Sequence, residues 1–219
     1  MILVKNVVKH FGGVAAVDGV DMKIERGSIT GLIGPNGAGK TTLFNLIAGN
    51  IAPSRGSIFL DGEDVTGLKP HELFSKGLLR TFQIAHEFHT LRVLDNLMLV
   101  PPMQAGDSLL GAWFRRKEVA RQETEIREKA EDVISFLNMK HMADELAGNL
   151  SGGQKKLLEL GRTMMVEPKV VVLDEVGAGV NRTLLREIGD AILSMNRDRG
   201  YTFCTVSYTH LTLPTILLV

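Results

Sequence analysis

Residues 31–49 read GLIGPNGAGKTTLFNLIAG, and this stretch decides the fold. An apolar strand signal enters it and an apolar helical pattern (Leu43, Phe44, Leu46, Ile47) leaves it. Between them lies the pattern G-x-x-x-x-G-K-T, with Gly34, Gly39, Lys40 and Thr41 at its fixed positions. Glycine at 34, 37 and 39 lets backbone N–H groups converge on phosphate oxygens, and the helix that follows adds its dipole. Lys40 would reach the β- and γ-phosphates of a nucleoside triphosphate, and the Thr41 hydroxyl would coordinate Mg²⁺. Asn36, Gly37 and Thr42 belong to the same candidate nucleotide-binding set. A glycine-rich turn without a ligand is the alternative, and the strand–loop–helix setting argues against it.

Composition sets the frame around this loop. At 219 residues the chain is long enough for one domain, or for one domain with a subdomain. Its 25 basic and 25 acidic residues cancel, so nothing points to nucleic acid, and a polyanion should be small and held locally. Cys204 is the only cysteine, which excludes an internal disulfide and suits a reducing compartment. No apolar run approaches the roughly 20 residues needed to span a bilayer, and the start, MILVKNVVKH, lacks a signal-peptide layout. Service to a membrane would go through another chain.

Outward from the loop, ILVKNVV, VDMKIE, SITGLI and GSIFLDG are short β-branched runs separated by glycine-containing turns. From Pro70 to about Ala147 the pattern is helical, with Ile126, Ala130, Val133, Ile134 and Leu137 on one face. Val100–Arg121, with two prolines and the only tryptophan, reads as an insertion or lid. KVVVLDEV then restores a strand whose four consecutive apolar residues suit a parallel sheet covered on both faces.

Two further elements carry chemistry. In VVVLDE, residues 170–175, Asp174 ends a buried strand where Mg²⁺ needs an anchor, and Glu175 is placed to polarise an attacking water. A strand running into a solvated turn is the bland reading. Ser151–Gly152–Gly153–Gln154 opens a helical run and presents N–H groups and a hydroxyl at its N-terminus. A Ser N-cap followed by a glycine turn would look the same. As a second anion site it is surplus within one chain, and a head-to-tail dimer resolves the surplus, each SGGQ closing over the partner's nucleotide.

With these residues in place, the chain resembles the ATP-binding subunit of an ABC transporter. LSGGQ, upstream of VVVLDE, matches the family signature, and RTFQ matches the loop whose glutamine, here Gln83, contacts Mg²⁺ or the attacking water. Phe11 matches the aromatic that stacks on adenine, with core packing as its other reading. Asn181 stands where an Asp is commoner, and Val176 where Pro is usual, which implies a looser turn after Glu175. The resemblance covers residues 1 to about 205. It implies an α/β P-loop core with a helical subdomain inserted at about 84–160. It also implies ATP and Mg²⁺ as ligands, a second ATP-binding subunit, membrane-spanning permease subunits, and a solute-binding protein reached indirectly. The location implied is the inner face of the cell membrane. GLLRTFQ, LRVLDNLMLV and the long insertion are similar to the branched-chain amino acid importer type, with urea importers sharing them. The rivals are a non-transport ABC ATPase acting on a soluble partner such as the ribosome, and a small-molecule kinase.

The C-terminal stretch departs from the family. The switch histidine expected after YTFCTV aligns with Tyr208, and His210 lies two residues further on. VSYTHLTLPT, residues 206–215, resembles a sequencing adaptor translated in frame, so 206–219 is expected to be a non-native tail and is left out of the fold reading. A native chain would then continue past residue 205, and the chain as it stands would bind Mg-ATP but hydrolyse it poorly.

Overall fold

The computed structural model describes residues 1–81, 87–102, 104, 113, 115–173, 182–206 and 215–218. It divides into two compact units, Met1–Gln83 with Pro168–Val219, and Ile84–Glu167.

The first unit holds two sheets. Strands β1 (Ile2–Phe11), β2 (Val14–Ile24), β4 (Arg55–Leu60) and β5 (Glu63–Asp64) form an antiparallel sheet in the order β2-β1-β4-β5. Ile2 and Val4 alternate inward with exposed Leu3 and Lys5, until Asn6 takes a positive φ of 45° and the register shifts. That bulge turns both Val7 and Val8 inward. The second sheet is parallel, β6 (Leu78–Arg80), β7 (Val170–Leu173), β8 (Thr202–Val206), β3 (Ile29–Ile33) and β9 (Thr215–Leu218), in the order β6-β7-β8-β3-β9. All four residues of β7 are buried, as its unbroken apolar run requires. Helix α1 (Lys40–Ile47) leaves β3 and buries Leu43, Phe44, Leu46 and Ile47. Those side chains share one apolar cluster with Val4, Ile24, Ile58, Val172 and Cys204. Short α2 (Pro70–Ser75) precedes β6, and α6 (Arg182–Arg199) buries Ile188, Ile192 and Met195 at helical spacing.

The second unit is helical. Here α3 (Val93–Met98), α4 (Arg116–Phe136) and α5 (Gly152–Val166) pack together, with two short 3₁₀ turns at Lys140–Met142 and Ala147–Asn149. The face of α4 carrying Ile126, Ala130, Val133 and Ile134 is buried, as its spacing indicates. Gly161 of α5 is where the helices close in. A Cβ there would lie 3.0–3.3 Å from Leu137, Leu97 and Val133 side-chain carbons.

One expectation needs correction. The helical stretch from Pro70 contains strand β6, because three residues are too few to show a period and β7 offers an edge to pair with. Of Val100–Arg121, expected as an insertion or lid, Arg116–Arg121 form the start of α4, and residues 103, 105–112 and 114 lie outside the described residues. In the stretch expected to be a non-native tail, Val206 ends β8, and Thr215–Leu218 pair in parallel with Thr30–Ile33 of β3. The β-branched and apolar TILL segment satisfies the strand pattern whatever its origin, and an open sheet edge accepts it through backbone hydrogen bonds.

Candidate functional site

The parallel register of the second sheet sets where chemistry can gather. Leu32 of β3 pairs with Val206 of β8, and Leu173 of β7 pairs with Thr205, so β3 and β7 end within two residues of each other at the carboxyl edge, β3 running further. With β8 between them, the two strands run about 10 Å apart. In open α/β sheets this edge is where ligands bind. Gly34 begins the loop that leaves β3 there, and Asp174 and Glu175 follow β7 in sequence. Both carboxylates lie outside the described residues, as do Gln83, Val176, Asn181, Tyr208 and His210.

The β3–α1 loop is built by its glycines. Gly37 and Gly39 adopt φ of +83° and +80°, which L-residues with a Cβ avoid. At Gly39, the N-cap of α1, a Cβ would lie 2.2 Å from the Ala16 carbonyl oxygen of β2, so glycine is required on both counts. At Gly37 the space is open, and only the backbone conformation demands glycine. Lys40, the first residue of α1, is buried, and its Nζ donates to the carbonyl oxygens of Gly34 at 2.8 Å and Pro35 at 2.7 Å. The ammonium is thereby carried across the mouth of its own loop. Asn36, Gly37 and Thr41 are exposed, while Gly34 and Thr42 are half-buried. The loop therefore offers donors, a cation and a helix N-terminus in one place, the chemistry of a polyphosphate site.

A metal ion at this edge would need hard oxygen donors. Among the described residues no group of three or more His, Cys, Asp or Glu could hold one. Thr41, in the first turn of α1, contributes a single hydroxyl. Such a hydroxyl is a hard oxygen donor of the kind Mg²⁺ takes beside nucleotide oxygens and water.

Phe11 sits at the end of β1 with 52% of its surface exposed, and the Lys9 Nζ lies 5.3 Å from the centre of its ring. Core packing is therefore not its role, and an aromatic face is open to a planar group. Arg80, at the end of β6, donates to the Asn45 side chain of α1 at 2.6 Å. This fastens the strand that precedes Gln83 to the helix that carries Lys40, a tie between residues 35 apart that no motif signals.

In the helical unit, Ser151 is the N-cap of α5 and forms a capping box. Its hydroxyl accepts from the Gln154 N–H at 3.4 Å, and the Gln154 carboxamide oxygen accepts from the Ser151 N–H at 2.8 Å. Ser151 and Gly152 are exposed, and Gly153 is buried. The N–H groups of Gly152 and Gly153 lie in the first turn, where a helix leaves donors free for an anion. A cavity of about 430 Å³ in this unit, lined by Leu91, Asp95, Met98, Ile126 and Arg127 among others, touches none of the predicted site residues.

Comparison with known proteins agrees with this geometry. The family model described as ABC transporter matches residues 17–178. A probable branched-chain amino acid transport ATP-binding protein, LivG, of Methanocaldococcus jannaschii is 39% identical over 204 residues, covering 93% of this chain and 78% of the relative. The high-affinity branched-chain amino acid transport ATP-binding protein BraF of Pseudomonas aeruginosa is 34% identical over 205 residues, covering 94% and 80%. The crystal structure of an ATP-binding cassette of an ABC transporter in its ADP conformation superposes with a TM-score of 0.82 at 34% identity, covering 100% of this chain and 86% of the other.

Proposed function

The chain belongs to the ABC transporter family, and from that premise we propose that this ATPase drives import of branched-chain amino acids through permease subunits in the membrane. The observation that carries the reading is the β3–α1 loop, where two left-handed glycines and a buried lysine sit at the carboxyl edge of a parallel sheet. The names of its relatives support the substrate class.

In this reading the N–H groups of the 34–39 loop bind the phosphates of ATP, with Asn36 and Thr42 flanking, and Phe11 stacks on the base. Lys40 exchanges its two carbonyl partners for β- and γ-phosphate oxygens, a charge-assisted replacement for neutral hydrogen bonds. Thr41, Asp174 and Gln83 would hold Mg²⁺, which when bound supplies charge neutralisation between phosphate oxygens. Glu175 accepts the proton of the attacking water. Little covalent chemistry is asked of the protein, and positioning with electrostatics supplies the rate. Ser151, Gly152, Gly153 and Gln154 of a second copy, or of a close paralogue, cap the nucleotide. Closure of that pair is the stroke passed to the permease on the inner face of the membrane, with a solute-binding protein delivering substrate on the other side. No helix among the described residues is long and apolar enough to cross a membrane, so the span belongs to partner chains in this scheme.

The test is reconstitution in proteoliposomes with permease subunits of the branched-chain amino acid importer type. ATP-dependent uptake of leucine, isoleucine or valine, slowed by Tyr208 at the position of the switch histidine and lost with Lys40→Ala, is the expected result. ATP turnover that responds to ribosomes and not to permease would overturn the importer reading.

A further inference from the structure

Glu87 lies four residues after Gln83 and is the most deeply buried acid in any ion pair among the described residues, its side chain 4% exposed. Its Oε1 accepts from the Lys155 Nζ at 2.7 Å and faces the His89 Nδ1 at 3.0 Å. Its Oε2 is the one buried side-chain polar atom among the described residues with no hydrogen-bond partner. Burial works against the charge, but the Lys155 hydrogen bond and charge hold the carboxyl below its ordinary range, so it is ionised at neutral pH.

Lys155 is placed against local preference. It follows Gln154 in the first turn of α5, where the helix dipole disfavours a cation and where no acidic residue offsets it. Its own N–H closes that turn on the Ser151 carbonyl at 3.0 Å. Glu87 is the group that compensates the misplaced cation, and it comes from a segment 68 positions earlier in the chain.

The strap at residues 88–92 is fixed to the same region by neutral hydrogen bonds. Asn96 is fully buried. Its side chain accepts from the Phe88 N–H at 2.8 Å and donates to the carbonyls of Phe88 at 3.1 Å and Arg92 at 3.0 Å. From the segment just before Ser151, the Gly148 N–H donates to His89 and the Ala147 N–H to Leu91, at 3.1 and 2.9 Å. Gly148 is small where it must be, since a Cβ would lie 3.0 Å from the His89 carbonyl oxygen. The Arg162 guanidinium of α5 lies 5.5 Å from the Phe88 ring centre.

We propose that Glu87 is a positioning residue: with Lys155 it locks the strap that follows Gln83 to the helix that presents Ser151, so that the two move as one body during ATP-driven closure. The proposal rests on the nucleotide-capping role assigned above to Ser151. A displacement of the strap is then delivered to the capping turn without loss, and the turn is held ready before a nucleotide arrives. Neither residue belongs to the set assigned to the nucleotide, so ATP binding by a single copy should not depend on the pair.

The test separates positioning from mere stability. Removing one partner would strand a buried charge, so the informative variant is the double substitution Glu87→Leu with Lys155→Met, an apolar pair of similar volume. It is made in a Glu175→Gln chain, and sedimentation is followed in Mg-ATP. The melting temperature and single-copy ATP affinity should match the parent, while the dimerisation constant weakens by roughly 5- to 150-fold, the span of a typical coupling between sites. Amide exchange at Ala147 and Gly148 should accelerate in the same variant. Re-pairing through Glu87→Asp with Lys155 retained should recover most of the dimerisation. A double variant that dimerises like the parent overturns the proposal, as does one whose weakened dimerisation follows from a lowered melting temperature. A parent that stays monomeric in Mg-ATP overturns the capping role itself, and this proposal with it.

Discussion

Alanine substitution at Gly39 and at Gly37 separates two reasons for glycine in the phosphate loop. Both residues hold φ near +80°, so each alanine incurs a left-handed conformational cost of roughly 1–2 kcal/mol. At Gly37 that cost stands alone, because nothing lies within 4 Å of the added Cβ. At Gly39 the added Cβ meets the Ala16 carbonyl oxygen at 2.2 Å, where ordinary contact begins at 3.4 Å, so about 1 Å of backbone movement is needed. Strand β2 cannot readily supply it, being paired to β1 at Lys9↔Val17 and His10↔Ala15. The movement falls on the first turn of α1, which carries Lys40 and Thr41. Overpacking adds roughly 1–3 kcal/mol to the conformational cost. A misplacement of about 1 Å can lower the efficiency of a positioned site on the order of 100-fold. Urea unfolding of both variants, with ATP titration by fluorescence, reads both quantities. Gly39→Ala should lose roughly 2–5 kcal/mol and most of its ATP affinity, and Gly37→Ala roughly 1–2 kcal/mol with affinity weakened only a few-fold. Equal losses in the two variants would refute the claim that β2 presses on the loop.

Other perturbations reach other parts of the molecule. Lys40→Ala should abolish ATP binding or nearly so in an equilibrium titration, since no other side chain of the loop carries a positive charge. Asn96→Leu should cost roughly 1–3 kcal/mol by denaturant unfolding, because the Phe88 N–H loses its acceptor while the carbonyls of Phe88 and Arg92 keep only their backbone donors. The Glu87 carboxyl is held below its ordinary value when folded, so its stabilisation is complete above the unfolded pKa and is lost as pH falls through the lower folded value. Melting temperature followed from about pH 6 down to pH 3 should show that acid limb, and Glu87→Gln should flatten it.

How much of this was legible beforehand depends on how far apart the cooperating residues lie. The phosphate loop is contiguous, so its strand, glycines, lysine and helix announce themselves together. The same holds for the buried β7 and for the apolar face of α4, each carried by one uninterrupted pattern. Strand β6 is hidden because Leu78–Arg80 makes sense only beside β7, some 90 positions later. The bulge at Asn6 is likewise a product of pairing on both sides, where β1 meets β2 and β4. Exposure of Phe11 is decided by where β1 ends, which residue type alone leaves open. Ties such as Glu87–Lys155 and Arg80–Asn45 join segments distant in sequence, and single-chain periodicity carries no signal for them. At Thr215–Leu218 composition was informative after all: the apolar, β-branched run pairs as a strand, although the segment resembles no part of the family.

The most direct measurement is the mass of the Glu175→Gln chain in solution, by analytical ultracentrifugation, with Mg-ATP, with Mg-ADP and with no nucleotide. A dimer with ATP alone, dispersed by Ser151→Arg in the capping turn while ATP still binds, is the expected result. A strictly monomeric chain saturated with Mg-ATP would contradict the claim that one copy's serine–glycine turn closes over its neighbour's nucleotide.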